Sequence, residues 1–171
     1  MPAFNQIGTA QVVGAGGAAS IDFTSIPATY TDLLVKIMAR SDAASAYNDC
    51  YLQFNGSTTN YSARSINGDG SSASSNVNSG AATSLRWSFV PGANATASTF
   101  GNAEIYIPNY TISNNKSVSA DGVTENNGGA YMTLRYGLWS DTAAINAIRL
   151  FIVSANFAQY STAYLYGISN A

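Results

Sequence analysis

Residues 145–168 read INAIRLFIVSANFAQYSTAYLYGI, and no other stretch limits the possible folds as strongly. Ile148, Leu150 and Ile152 fall on one side of an extended chain, with Arg149, Phe151 and Val153 on the other. Strict alternation built on β-branched and aromatic residues is the pattern of a strand. The same period returns with Ala163 and Leu165 against Tyr164 and Tyr166, and it stops at Gly167. The small and polar SANFAQYS between the two runs predicts a connection, so the pair is read as a hairpin. Two strands alone are marginal in water. Apolar residues occur on both sides of these two, which places them centrally in a larger sheet.

The rest of the chain keeps the same period. Segments at 6–13, 20–27 (closed by Pro27), 30–40 and 49–55 read as strands, the last ended by an Asn55-Gly56 turn. Leu85, Trp87 and Phe89 alternate with Arg86 and Ser88, and Ala103, Ile105 and Ile107 with Glu104 and Tyr106. Met132, Leu134 and Tyr136 alternate with Tyr131, Thr133 and Arg135, and the apolar set is assigned inward. Short strands are expected to end at Ile66 and to cover 116–119. Residues 69–82 are low in complexity and read as a long loop, and 109–130 as mostly loop. Asp141 is expected to start one helical turn over 141–145.

Eight to ten strands with turn chemistry and no long helix predict an all-β fold. The long polar loops suit a jelly-roll-like antiparallel β-sandwich. Residues 1–19 read as a short extended N-terminal arm with Gly14 to Gly17 as its joint, and 20–171 as a single sandwich domain. The expected core contains Leu52, Phe54, Trp87, Phe89, Ile105, Leu134, Leu150 and Leu165.

Charge narrows the function. Only 9% of the 171 residues are charged, against roughly 25% in an average soluble domain, and the net charge is −2. The five arginines are scattered singly, so nucleic acid and anionic membranes are not expected partners. No run reaches membrane-spanning length, and the N-terminus lacks the basic start and apolar core of a signal peptide. With no histidine, neither a Ser-His-Asp arrangement nor a histidine-bearing metal site can form. Cys50, in phase with Leu52 and Phe54, reads as a small buried hydrophobe, and one cysteine makes no intrachain disulfide.

The carboxylates lie mostly in turns, and Glu104 faces out of its strand, so neither a paired-carboxylate active site nor any other enzymatic activity is expected. The loop around Asp69 is a poor calcium site, and no cofactor is predicted. The aromatic residues are the remaining resource. Tyr131, Arg135, Tyr164 and Tyr166 fall opposite the assigned inward faces and are predicted to form a subunit or partner interface. Phe4, Ile7, Val12 and Val13 give the arm a half-apolar, extended chemistry that could add a strand to a neighbour's sheet edge.

Three stretches carry a resemblance: DFTSIPATYTDLLVKIMARSD at 22–42, FNGSTTNYS at 54–62 and IRLFIVSANFAQYSTAYLYGI at 148–168, with IPNY at 107–110. Together they resemble small virion structural proteins of tailed bacteriophages. The resemblance implies a jelly-roll-like domain used as a capsid decoration (cement) protein or as the distal domain of a tail or head fibre. It brings no catalytic motif. About twenty residues precede Ile21, which is too short for a fibre shaft, so a cement protein on the outer capsid surface is the first expectation. Its partners would be the major capsid protein and further copies of itself, as a homotrimer, and it would be made in the bacterial host cytoplasm. The alternative is a receptor- or glycan-binding fibre tip, with a soluble lectin-like module of other origin third, and a glycan is not a partner under the first expectation.

Overall fold

The computed structural model describes residues 3–169, including every side chain except those of residues 78–81. The described residues form thirteen strands and no helix. In chain order they are β1 (Ala3–Gln6), β2 (Gln11–Val12), β3 (Ser20–Phe23), β4 (Asp32–Ala39), β5 (Tyr47–Phe54), β6 (Tyr61–Gly68) and β7 (Ala73–Ala82). There follow β8 (Leu85–Pro91), β9 (Gly101–Ile107), β10 (Lys116–Glu125), β11 (Ala130–Trp139), β12 (Ile148–Ile152) and β13 (Thr162–Ser169). All pairings are antiparallel. A nine-stranded sheet runs β1-β13-β4-β9-β10-β11-β6-β7, with β2 also on β13, and a four-stranded sheet runs β3-β12-β5-β8. The two face each other as a β-sandwich, and the chain crosses between them repeatedly.

The stretch at 145–168 is two strands, but not a hairpin. β12 lies inside the small sheet between β3 and β5, while β13 lies in the large sheet beside β4. Its connection crosses the sandwich, and Phe157 is fully buried within it, bridged to Ala18 and Ser41. An apolar residue in the middle of the link is what a crossing between two sheets requires and what a solvent-facing hairpin turn does not. Central placement does hold for both strands.

Two segments read as loops are strands. β10 alternates buried and exposed residues along its whole length, but the inward set is Lys116, Val118, Ala120, Gly122 and Thr124, too polar and too small to reveal the period. It pairs with β11 over ten residues about a turn at Asn127, which takes a positive φ of 62°. β7 pairs with β6 as an edge strand, its hairpin tied by Asp69, whose Oδ1 accepts the N–H groups of Ser71 and Ser72. Residues 141–147 do not form a helical turn. The Asp141 side chain accepts the Ala143 N–H in a local turn, and Asn55 Oδ1 accepts the N–H groups of Asn146 and Ala147.

Of the expected core, Leu52, Phe54, Trp87, Ile105, Leu150 and Leu165 are buried. Leu134 is instead 55% exposed, because β11 has the opposite phase to that predicted. Trp139 at the end of β11 packs against Phe54 and Tyr61 with ring centroids 5.6 and 6.2 Å away. A strand without a bulge has one phase, so burying Trp139 turns Arg135, Thr133 and Tyr131 inward and Leu134 outward. Phe89 is only half-buried for a related reason. Cys50 pairs with Ser88 and Tyr51 with Arg86, leaving Trp87 as a bulge that keeps its indole inside and turns Phe89 away from the core.

The segment read as an arm lies on its own chain. β1 and β2 both pair with β13, the Ile7 N–H reaches the Leu165 carbonyl, and Val13 is in the core.

The two sheets approach closely where β8 crosses β10. A Cβ added at Gly122 would sit 2.2 Å from Ser88 Oγ and 2.9 Å from Ser88 Cβ. Gly122→Ala is therefore expected to cost about 1–3 kcal/mol by overpacking. Leu150→Ala, at a fully buried position in the small sheet, should cost about 2–5 kcal/mol. Chemical denaturation of both variants measures these losses, and a loss below about 1 kcal/mol for Leu150→Ala would place that residue outside the core.

Burial also sets the response to pH. Cys50, Tyr51, Tyr61, Tyr106 and Tyr110 are all raised above their ordinary values, chiefly by burial. Each keeps its proton in the folded chain at a pH where the unfolded chain has released it. Their stabilisation is whole below the unfolded values, about 8.5 for Cys and 10 for Tyr, and is lost as pH rises past them. Arg135 and Lys116, lowered by burial, act in the opposite sense and are fewer. Thermal midpoints should therefore fall above about pH 9, with Cys50→Ala delaying the onset. A midpoint that climbs through this range would contradict the burial of these groups.

Candidate functional site

The outer face of the large sheet, turned away from the small one, carries the largest exposed apolar side chains. Register places Ile66 of β6 opposite Leu134 of β11, Arg64 opposite Tyr136, and Met132 opposite Val123 of β10. On β7, Val77 stands opposite Arg64. Ile66, Val77, Val123, Met132, Leu134 and Tyr136 retain between 41% and 72% exposure. These six form one patch at the β6–β7 end of the sheet.

A second patch lies at the other end. Phe4, Val12, Met38 and Tyr164 are exposed on the same outer face, and the ring of half-buried Tyr166 stacks beside Tyr164 at 6.4 Å. Between the patches runs a polar band. Lys36 and Glu104 form an ion pair at 2.6 Å, Asp121 stands opposite Glu104, and Tyr106 donates to Asp32 at 2.9 Å. The hydrogen bond and charge of Glu104 raise the Lys36 ammonium above its ordinary value.

Of the predicted interface residues, Phe4, Val12, Tyr164 and Tyr166 share this outer face. Ile7 packs against the core and Val13 is inside it. Tyr131 and Arg135 point between the sheets: the Tyr131 ring meets Tyr47 and Phe89 with centroids 4.9 Å away in each case, and Arg135 is 3% exposed. The predicted exposed face of β11 is thus its inner face. Sequence reasoning missed Met132, Leu134 and Tyr136 because it assigned the more apolar face inward. The signal that could have found them is Trp139, which falls in phase with Arg135 and not with Leu134.

Among the described residues, no group of three or more His, Cys, Asp or Glu side chains gathers where a metal could be held, and no helix is long and apolar enough to cross a membrane. The arrangement offers contact area and hydrogen bonds, with its titratable groups spread along the sheet. Leu134→Lys and Tyr136→Lys alter the outer face only, so the thermal midpoint should move by less than the equivalent of about 0.5 kcal/mol. A collapse of the fold in either variant would place these side chains inside after all. The chain matches no protein-family model, no curated protein and no solved structure.

Proposed function

We propose that the protein is a structural subunit of a tailed-bacteriophage particle, a decoration (cement) protein that covers and stiffens the assembled head. The observation that carries this reading is the exposed patch of Ile66, Val77, Val123, Met132, Leu134 and Tyr136. A soluble monomer seldom keeps so many large apolar side chains together on one sheet face, and such patches mark interaction surfaces. The sparse charge of the chain agrees with it, since long-range steering is weak and adhesion must come from shape, tyrosine burial and amide hydrogen bonds. The resemblance of the three stretches to phage virion proteins supplies the setting.

Strand order supports reading the sandwich as an enlarged jelly roll. β3-β12-β5-β8 forms one sheet, and in the other the β10–β11 hairpin is inserted between β4-β9 and β6-β7. Partners in this reading are the major capsid protein and further copies of the chain. Two apolar patches at opposite ends of one face suit head-to-tail contact between copies, which closes into a ring such as a trimer when the rotation allows.

Sedimentation of the purified chain, alone and with capsids of the phage that encodes it, tests this reading. The expected result is a trimer, or a monomer that binds capsids. Leu134→Lys or Tyr136→Lys should weaken the association about tenfold or more, which is ~1.4 kcal/mol. Binding should change little when salt rises from about 0.1 to 1 M, over which the screening length falls from about 10 to 3 Å. Undiminished binding by both variants, or binding abolished by moderate salt, would overturn the proposal.

A further inference from the structure

The large sheet reaches past the free edge of β8, and beneath that overhang lies a cavity of about 240 Å³. Its lining includes Tyr51, Arg64, Ser65, Asn76, Arg86 and Arg135, together with Val77 of the outer patch. Three of the five arginines of a charge-poor chain therefore meet at one hollow.

The charges there do not balance. Among the described residues, Asp49 is the one carboxylate that pairs with these arginines, and it is held by Arg86 at 2.8 Å. Arg135 has no carboxylate of its own. Its guanidinium donates to Asn67 Oδ1 at 3.3 Å, while its buried Nε–H has no hydrogen-bond partner. Both guanidinium groups lie over the same ring, Arg86 at 5.3 Å and Arg135 at 4.9 Å from the Phe89 centroid. Burial first, and then the neighbouring Arg86 charge, lower Arg135 to about 10. A buried cation is stabilised by a hydrogen-bonded counter-charge, and one left without it is costly. A face of Phe89 offsets only part of that cost.

We propose that this cavity binds a small oxyanion ligand, its carboxylate or phosphate group held against Arg135 and Arg86 and its remaining polar groups met by Tyr51, Ser65 and Asn76. Arginine is the side chain suited to oxyanions, because its planar fork matches two oxygens at once. The hollow is smaller than the ~300–1,000 Å³ of drug-sized sites, which fits a ligand of monosaccharide size or less. Tyr51, stacked on Phe151 at 5.7 Å, supplies a flat wall beside the arginines. The site lies at the rim where β8 meets β6 and β7, and Val77 is shared between its lining and the margin of the outer apolar patch.

The test is a titration of the full chain, followed by amide NMR shifts and by thermal midpoint, with glucuronate, inorganic phosphate, glucose and ionic-strength-matched chloride. One or both oxyanions should shift the resonances of Tyr51, Asn76 and Arg86 saturably and raise the midpoint, whereas glucose and chloride should not. Preference for glucuronate assigns a sugar acid, and preference for phosphate assigns a phosphate group. Arg135 is buried and its replacement could unfold the chain, so the variants are Arg86→Gln and the exposed-position Asn76→Asp. Each should weaken binding about tenfold while the chain stays folded, a loss expected for one charge-assisted contact. The proposal is overturned if neither oxyanion binds more tightly than chloride, or if both variants bind as the parent does.

Discussion

A nine-stranded sheet cannot be covered by a four-stranded one, and most of the molecule's character follows from that inequality. Where the small sheet lies, the inner face of the large sheet is apolar: Leu33, Val35, Ile37, Ile105, Ala163 and Leu165 are all buried there. Where the small sheet ends at β8, the inner face changes to Ser65, Asn67, Thr133 and Arg135. Ser65 and Arg135 border the hollow, Asn67 accepts from Arg135, and Thr133 meets the buried Ser88 hydroxyl at 3.2 Å, so polar partners and not a second apolar layer receive them. Glycines set how closely the small sheet can sit at this boundary. Gly122 and Gly137 on the inner face make room for Ser88 and Leu85 of β8, so the strand carrying Arg86 and Phe89 is pressed against β10 and β11.

Two of the seven cations, Arg40 and Lys116, hold loops. Arg40 donates to the carbonyls of Ala95, Thr96 and Thr99, clipping the link between β8 and β9. Lys116 is almost wholly buried, and its ammonium donates to the carbonyls of Ile112 and Thr142, tying the loop before β10 to the one after β11. Burial lowers the Lys116 ammonium below its ordinary value, yet charged donors on carbonyls make stronger bonds than neutral ones. A surface poor in charge is therefore compatible with individual charges that matter inside.

Class and core were readable because β-branched and aromatic residues keep a period of two in β4, β9, β12 and β13. Pairing was not readable. The residues between β12 and β13 look like a hairpin connection until Phe157 is recognised as a buried plug, and one aromatic in a polar run does not announce which sheet it serves. β7 and β10 were hidden by composition, since a strand of Ser, Asn, Gly and Thr carries its information in hydrogen bonds and not in hydropathy. The apolar patch of the candidate site was visible as residues but placed on the wrong side. The rule that the more apolar face turns inward holds only where an apolar layer waits to receive it.

β11 shows what that reversal means. With the other phase, Met132, Leu134 and Tyr136 would be buried and Arg135 would reach water. Full burial of such side chains is worth about 1.5–3 kcal/mol each, and a buried guanidinium would be spared its desolvation. Trp139, locked between Phe54 and Tyr61, and Gly137, beneath Leu85, hold the strand in the phase observed. The exposed Met132, Leu134 and Tyr136 and the buried Arg135 are consequently the two faces of one strand. The isolated domain gains the burial of Trp139 by this choice and leaves the outer face and the Arg135 Nε–H unpartnered. In the proposed roles, burial of the outer face against a neighbour and pairing of Arg135 with an oxyanion would recover both terms.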